Sequence, residues 1–357
     1  MINVTKTFLP DFNEYVQTIK RAWDKAHLTN NGELVQELEG ELKKYLGVNH
    51  LWFSGNGTIV LQMALKALGH KTGEVITTPF SYVATTNAIL WEGLTPVFVD
   101  INERDFCIDV NKIEAAITKN TVAILATHVY GNPCDVENIS GIAKKHNIKV
   151  IYDAAHAFGA SFKGKQILSY GDVSTCSFHA TKVFHTVEGG CIITNDIELS
   201  HKLLLYRQFG HIGDNFYSIG INGKNSEFHA AMGLCNLPSL DSIIESRKTI
   251  SLLYDDEILN LPIQRPIALP ETVYNYAYYP VVFENEETLL TAKSLLAQQN
   301  IFARRYFYPS LNNLPFIEYK AAPISEKISS RALSLPLAHD TTQETVSLVI
   351  DIIKKAL

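Results

Sequence analysis

The sequence is poor in cysteine, methionine and tryptophan, with five, three and three of them in 357 residues. The cysteines, Cys107, Cys134, Cys176, Cys191 and Cys235, are widely spaced and include no Cys-x-x-Cys pair. An odd set without pairing or metal-ligand spacing predicts reduced thiols, a cytoplasmic protein and no metal site. Long uncharged apolar runs are lacking too, so no stretch approaches the roughly 20 residues needed to cross a bilayer. The opening MINVTKTFLPDFNEY has no basic start followed by an apolar core, so no secretory leader is expected. The Asn-x-Ser/Thr matches at Asn3, Asn56 and Asn138 are then expected to be chance. Basic charge is in deficit: 31 Lys and Arg against 37 Asp and Glu leave −6, no field for a nucleic-acid backbone. Neither a P-loop nor the spaced-glycine dinucleotide fingerprint occurs, which argues against nucleoside-triphosphate and nicotinamide chemistry.

What is present is ordinary globular material, 46% hydrophobic and 19% charged, in a length that fits two domains. In NNGELVQELEGELKKYLG, Leu34, Leu38, Leu42 and Leu46 recur every fourth residue, one apolar stripe of a helix that Gly47 stops. Seven strand candidates follow: HLWFS, EVITTP, TPVFVD, TVAILATHVY, KVIYDA, DVSTCSF and CIITN. Helix-like segments separate the first five, the rhythm of an α/β domain with a mostly parallel sheet covered on both faces. No helical segment lies between the last two, so part of the sheet is expected not to be parallel. From about residue 241 longer helices surround strands such as YAYYPVVF. This predicts a large domain over 1–240 and a smaller α+β domain over 241–357, with the N-terminal segment free to pack on the smaller one.

Three places can carry chemistry. SGNGT, Ser54 to Thr58, is a glycine turn between a strand and a helix, where free N–H groups and the positive end of the helix dipole can cradle a phosphate; the same turn can be purely structural. Asp153, in VIYDAAHAFGA, ends a strand at the sheet edge where ligands gather. It either caps the next helix or is a buried anion that keeps a ring nitrogen protonated, and His156 either packs or bonds the same ligand. Lys182 follows a strand in STCSFHATKVFHTVEGGCIIT, with Ser177 and Thr181 near it and Glu188-Gly189-Gly190 turning back into the sheet. Alone it reads as a surface lysine; desolvated beside a cation it is a Schiff-base nucleophile. Phosphate cradle, strand-end aspartate and strand-end lysine together form the set expected for pyridoxal 5′-phosphate. Phe80 or Tyr82 is available to lie over the ring.

The order SGNGT, TPFSYVATTNAI, YGNPCDVENI, IYDAAHAFGA, SFHATKVFHTVEGG, GINGKNSEFHAAMG and ARRYFYPSL resembles the DegT/DnrJ/EryC1/StrS sugar aminotransferases through nearly the whole chain. The resemblance implies a fold-type-I architecture like that of aspartate aminotransferase, with a seven-stranded mixed sheet. It implies Lys182 as the Schiff-base lysine, Asp153 as the partner of the pyridinium nitrogen, and Gly57, Thr58 and Ser177 as phosphate ligands. Tyr82 falls at the stacking position and His156 beside the cofactor's phenolic oxygen. Asn222 matches a residue that crosses from the neighbouring subunit, which implies a homodimer with shared active sites. Lys224, Arg304 and Arg305 are the implied cations for a nucleotide sugar's pyrophosphate, and His179 and His185 either pack or touch substrate. The implied activity is ping-pong transamination through pyridoxamine 5′-phosphate, from L-glutamate to a nucleotide-linked 4-keto-6-deoxy sugar. That sugar is expected to be dTDP-4-keto-6-deoxyglucose, on the way to the O-antigen of lipopolysaccharide. Amination at carbon 3, a dehydratase and a non-catalytic regulator stay open as alternatives. The dehydratase members carry His where Lys182 stands, which counts against that branch.

Overall fold

Seven short apolar runs assemble into one sheet in the computed structural model, which describes all 357 residues. They are β1 (His50–Ser54), β2 (Glu74–Thr77), β3 (Thr95–Phe98), β4 (Thr121–Thr127), β5 (Lys149–Asp153), β6 (Val173–Ser177) and β7 (Gly190–Thr194). The spatial order is β1-β7-β6-β5-β4-β2-β3. Strand β7 runs antiparallel to both β1 and β6, while the remaining pairs are parallel. The fold is thus α/β with a seven-stranded, mostly parallel sheet. The exception falls where no helix separates two strands: residues 178–189 fold back on themselves, with the Phe178 N–H on the Gly189 carbonyl, and return the chain antiparallel.

Side-chain alternation along the strands feeds two apolar layers. Ile124, Ala126, Val150 and Tyr152 face the larger core, which also receives Leu34, Leu38, Leu42 and Leu46 from the helix Glu33–Leu46. Ala123, Leu125 and Ile151 point the other way, against Val60, Leu61 and Ala64 of the helix Gly57–Ala67. The first of these helices ends at Gly47, whose φ of 62° suits a residue without a Cβ. Beneath β1 lies a buried ion pair: Arg207 Nη1 donates to Glu39 Oε1 at 2.5 Å and to the Phe53 carbonyl at 2.8 Å. It ties two helices to the strand that leads into the glycine turn.

A second core lies in the C-terminal part. Tyr279–Val282 pairs antiparallel with Ala332–Leu335, and the helices Glu286–Gln298 and Gln343–Lys354 pack around them. The long helix Leu240–Ile258 serves both cores, giving Leu240 and Ile243 to the larger and Ile250, Tyr254 and Ile258 to the smaller. The N-terminal segment joins the C-terminal part: Ile2–Asn3 pairs in parallel with Ile301–Phe302, and the Leu337 N–H donates to the Val4 carbonyl. Helices at Phe12–Asp24, Ile197–Arg207 and Glu227–Asn236 were not foreseen from apolar spacing. No helix is long and apolar enough to cross a membrane.

Candidate active site

Strand β5 delivers Asp153 to the carboxyl edge of the sheet, where it is 5% exposed. Each oxygen of its carboxylate accepts one hydrogen bond. Thr85 Oγ1 donates to Oδ2 at 2.7 Å and the Ala155 N–H donates to Oδ1 at 3.1 Å. Thr85 also meets Ser81 Oγ at 2.8 Å, and Thr127, the last residue of β4, donates to Ser81 at 3.1 Å. A chain of hydroxyls from two neighbouring segments therefore fixes a buried anion. No helix begins after Asp153, so the capping alternative does not apply.

Lys182 lies in the loop between β6 and β7, and that loop is well tied. The Phe178 N–H donates to Gly189, Ala180 to Val187 and Thr186 to Phe178, at 2.7–2.9 Å. Close packing explains the glycines here. A Cβ on Gly190 would sit 2.8 Å from the Asn56 carbonyl carbon, and one on Gly57 would sit 2.7 Å from Ser177 Cβ. The helix Gly57–Ala67 therefore starts hard against the end of β6. Asn56 caps it by accepting from the Ile59 N–H at 2.9 Å. The N–H groups of Gly57 and Thr58 find no carbonyl within the helix, and Gly57 packs against Ser177.

Opposite stands an aromatic wall. The His156 ring stacks on Phe307, with centroids 5.4 Å apart and planes within 3°, and meets Tyr278 edge-on at 4.9 Å. His156 Nδ1 is buried with no hydrogen-bond partner. Burial, and then the nearby Lys182 charge, holds this imidazole well below its ordinary range. Lys182 Nζ donates to Tyr278 OH at 3.5 Å.

These walls enclose a cavity of about 270 Å³. Of the residues expected from sequence, Gly57, Thr58, Asp153, His156, Ser177 and Lys182 all line it. So do Tyr82, His179 and Arg304. Tyr82 is half exposed at the cavity, whereas Phe80 is buried against Phe106, Tyr130 and Phe307, which separates the two ring candidates by position.

Four expected residues stand elsewhere. Arg305 does not line the cavity: it donates to Glu286 at 2.6 Å and to the Ser330 carbonyl at 3.0 Å, and lies over the Tyr308 ring. His185 is buried away from the cavity, between the Phe8 carbonyl at 2.7 Å and Asn236. Lys224 rests over the Phe209 ring, and Asn222 bridges to Gln208. Sequence reasoning missed Tyr278, Tyr306 and Phe307, and the Ser81, Thr85 and Thr127 hydroxyls. An aromatic in an apolar stretch carries no sign that it lines a cavity. A Thr three residues after Tyr82, on the first turn of a helix that starts at the sheet edge, was a usable signal.

The family model for DegT/DnrJ/EryC1/StrS aminotransferases matches residues 11–354. The chain belongs to this family. Members of the DegT/DnrJ/EryC1/StrS family are pyridoxal-phosphate-dependent sugar aminotransferases, and the chain is an enzyme of that kind. It is 40% identical to a dTDP-4-amino-4,6-dideoxy-D-glucose transaminase of Shigella dysenteriae, over 99% of this chain and 98% of that one. To a GDP-perosamine synthase of Escherichia coli O157:H7 it is 32% identical, over 94% of each. Among solved structures, DesI in the presence of its TDP-sugar product superposes with a TM-score of 0.93 at 29% identity, covering 98% of this chain and 91% of that one.

Proposed function

We propose that this chain binds pyridoxal phosphate and places an amine on carbon 4 of dTDP-4-keto-6-deoxyglucose, with L-glutamate as donor. The reading is carried by Lys182 and Asp153 facing one cavity in a chain 40% identical, almost end to end, to a transaminase of that sugar type.

The residues present fit the cofactor. The N–H groups of Gly57 and Thr58 and the Ser177 hydroxyl would hold its phosphate, in a cradle that a Cβ on Gly57 would close. Asp153 would pair with the ring nitrogen and keep its proton there. His156, with its unpartnered Nδ1, would bond the phenolic oxygen, and Tyr82 would cover a ring face. Bound pyridoxal phosphate supplies an electron sink for the carbanion left when the amino donor loses its α-proton. Lys182 would hold the cofactor covalently and, once freed by the donor's amine, would take the α-proton and return it one carbon away. The buried aromatic side chains opposite keep bulk water from the reacting carbon. Arg304, which lines the cavity with its guanidinium over the ring of Tyr306 at 4.6 Å, would meet a substrate phosphate.

The reading includes a homodimer in which Asn222 serves the partner's phosphate site. In support, Asn222 does not line its own cavity, and the stretch before it exposes Phe216, Tyr217 and Ile219, the first by 77%.

A panel of keto-sugar nucleotides incubated with the protein, pyridoxal phosphate and L-glutamate tests this, with NMR locating the new amine. Amination of the dTDP-linked 4-keto sugar is the expected result. An amine at carbon 3, or preference for UDP or GDP, would change the substrate. No amination of any member would overturn the proposed activity.

A further inference from the structure

Lys182 Nζ has a single hydrogen-bond partner, the hydroxyl of Tyr278, and that hydroxyl has no other partner than Lys182. The tyrosine is 5% exposed, and its position is fixed from several directions. Asn275 donates to the carbonyls of His156 and Phe158 at 2.8 and 2.9 Å and accepts from the Ala277 N–H at 3.2 Å. The buried Arg247 donates to the carbonyls of Tyr276 and Ala277 at 2.8 and 2.7 Å. The Tyr278 ring is bounded by His156, Tyr306 and Tyr130, with centroids 4.9, 5.3 and 6.1 Å away. Backbone and ring are both held, so the hydroxyl is aimed rather than free to wander.

A lysine that carries a proton is an amine in one half of the task and an ammonium in the other. A phenolic hydroxyl can serve both forms, donating to the amine and accepting from the ammonium. A contact of 3.5 Å is long for such a bond, and contacts of this kind commonly shorten once reactants are in place. We propose that Tyr278 is a positioning residue for amine transfer, its hydroxyl holding the freed Lys182 Nζ in line with the reacting carbons in both protonation states. The proton that Nζ takes from the donor's α-carbon is the one it delivers, and Tyr278 keeps its own. The proposal rests on the aminotransferase reading above.

The test is Tyr278→Phe, which removes the hydroxyl and keeps the ring. In the cofactor-loaded enzyme, the single-turnover rate with L-glutamate should fall by about tenfold or more. Glutamate affinity should hold, and the isotope effect with α-deuterated glutamate should rise as proton transfer becomes limiting. In the cofactor-free protein, Lys182 should react faster with acetic anhydride than in wild type, scored by peptide mass spectrometry against the other lysines. Both forms of the hydrogen bond restrain the amine, so losing either speeds labelling. Tyr278→Leu, which removes the ring as well, should match Phe in labelling and in isotope effect. Unchanged labelling with Phe, or a loss confined to glutamate affinity, would overturn the role. If wild type transfers no amine at all, the functional reading falls and the positioning role falls with it.

Discussion

The cavity has two unlike walls, and their difference shows what makes a site readable. The polar wall comes from residues 54–190, where strand ends, the loop between two strands and one helix start present Asp153, Ser177, Lys182, Gly57 and Thr58. Each sits at a punctuation point of the fold, so its place follows from the rhythm of the chain. The aromatic wall joins His156 to Tyr278, Arg304, Tyr306 and Phe307, which arrive from beyond residue 270. Its members share one contact network with core residues such as Phe80 and Tyr130. The polar wall is set by backbone edges and the aromatic wall by packing.

Breaking the polar wall should cost most. Lys182→Ala is expected to lower amine transfer by at least about 10³-fold in a glutamate half-reaction assay. It should also abolish cofactor fixed to the chain by borohydride. Asp153→Asn keeps the shape but removes the anion, and transfer should fall by about 10²-fold, measured the same way. Thr85→Val tests the hydroxyl chain behind that anion. With Oδ2 left short of a donor in a buried place, a loss of about 1–3 kcal/mol is expected, read as weaker cofactor retention on dialysis.

The smallest effect tests the aromatic wall through pH. Burial holds folded His156 below its ordinary value of 6.5, so between the two values the unfolded chain binds the extra proton. Stability should therefore fall as the pH drops below about 6.5, and His156→Gln should flatten that part of the slope. Melting temperatures of the cofactor-free proteins across pH check it. An unchanged slope would mean that the aromatic wall admits water.

Much of the fold was legible because the apolar runs are short, regular and separated by helical spacing. The antiparallel β7 was legible too, from the missing helix before it. Arg305 was misjudged because an Arg pair looks the same whether one member meets a ligand or, as here, Glu286. His185 was open for a similar reason, since flanking Lys182 in sequence does not place a side chain in the same cavity. Tyr278 sits in YAYYPVVF, where a strand reading absorbed it. Only the folded chain shows that it turns toward a lysine 96 residues earlier in the chain.

The first eight residues deserve practical respect when this protein is handled. Ile2–Asn3 is stitched to Ile301–Phe302, while Thr7 Oγ1 donates to the Ala180 carbonyl and His185 meets the Phe8 carbonyl. One short segment thus touches both the C-terminal part and the loop that carries Lys182. A tag or fusion joined ahead of Met1 would attach to the segment that makes these contacts, whereas one joined after Leu357 would not. The end at which the protein is tethered is therefore part of any assay of its lysine.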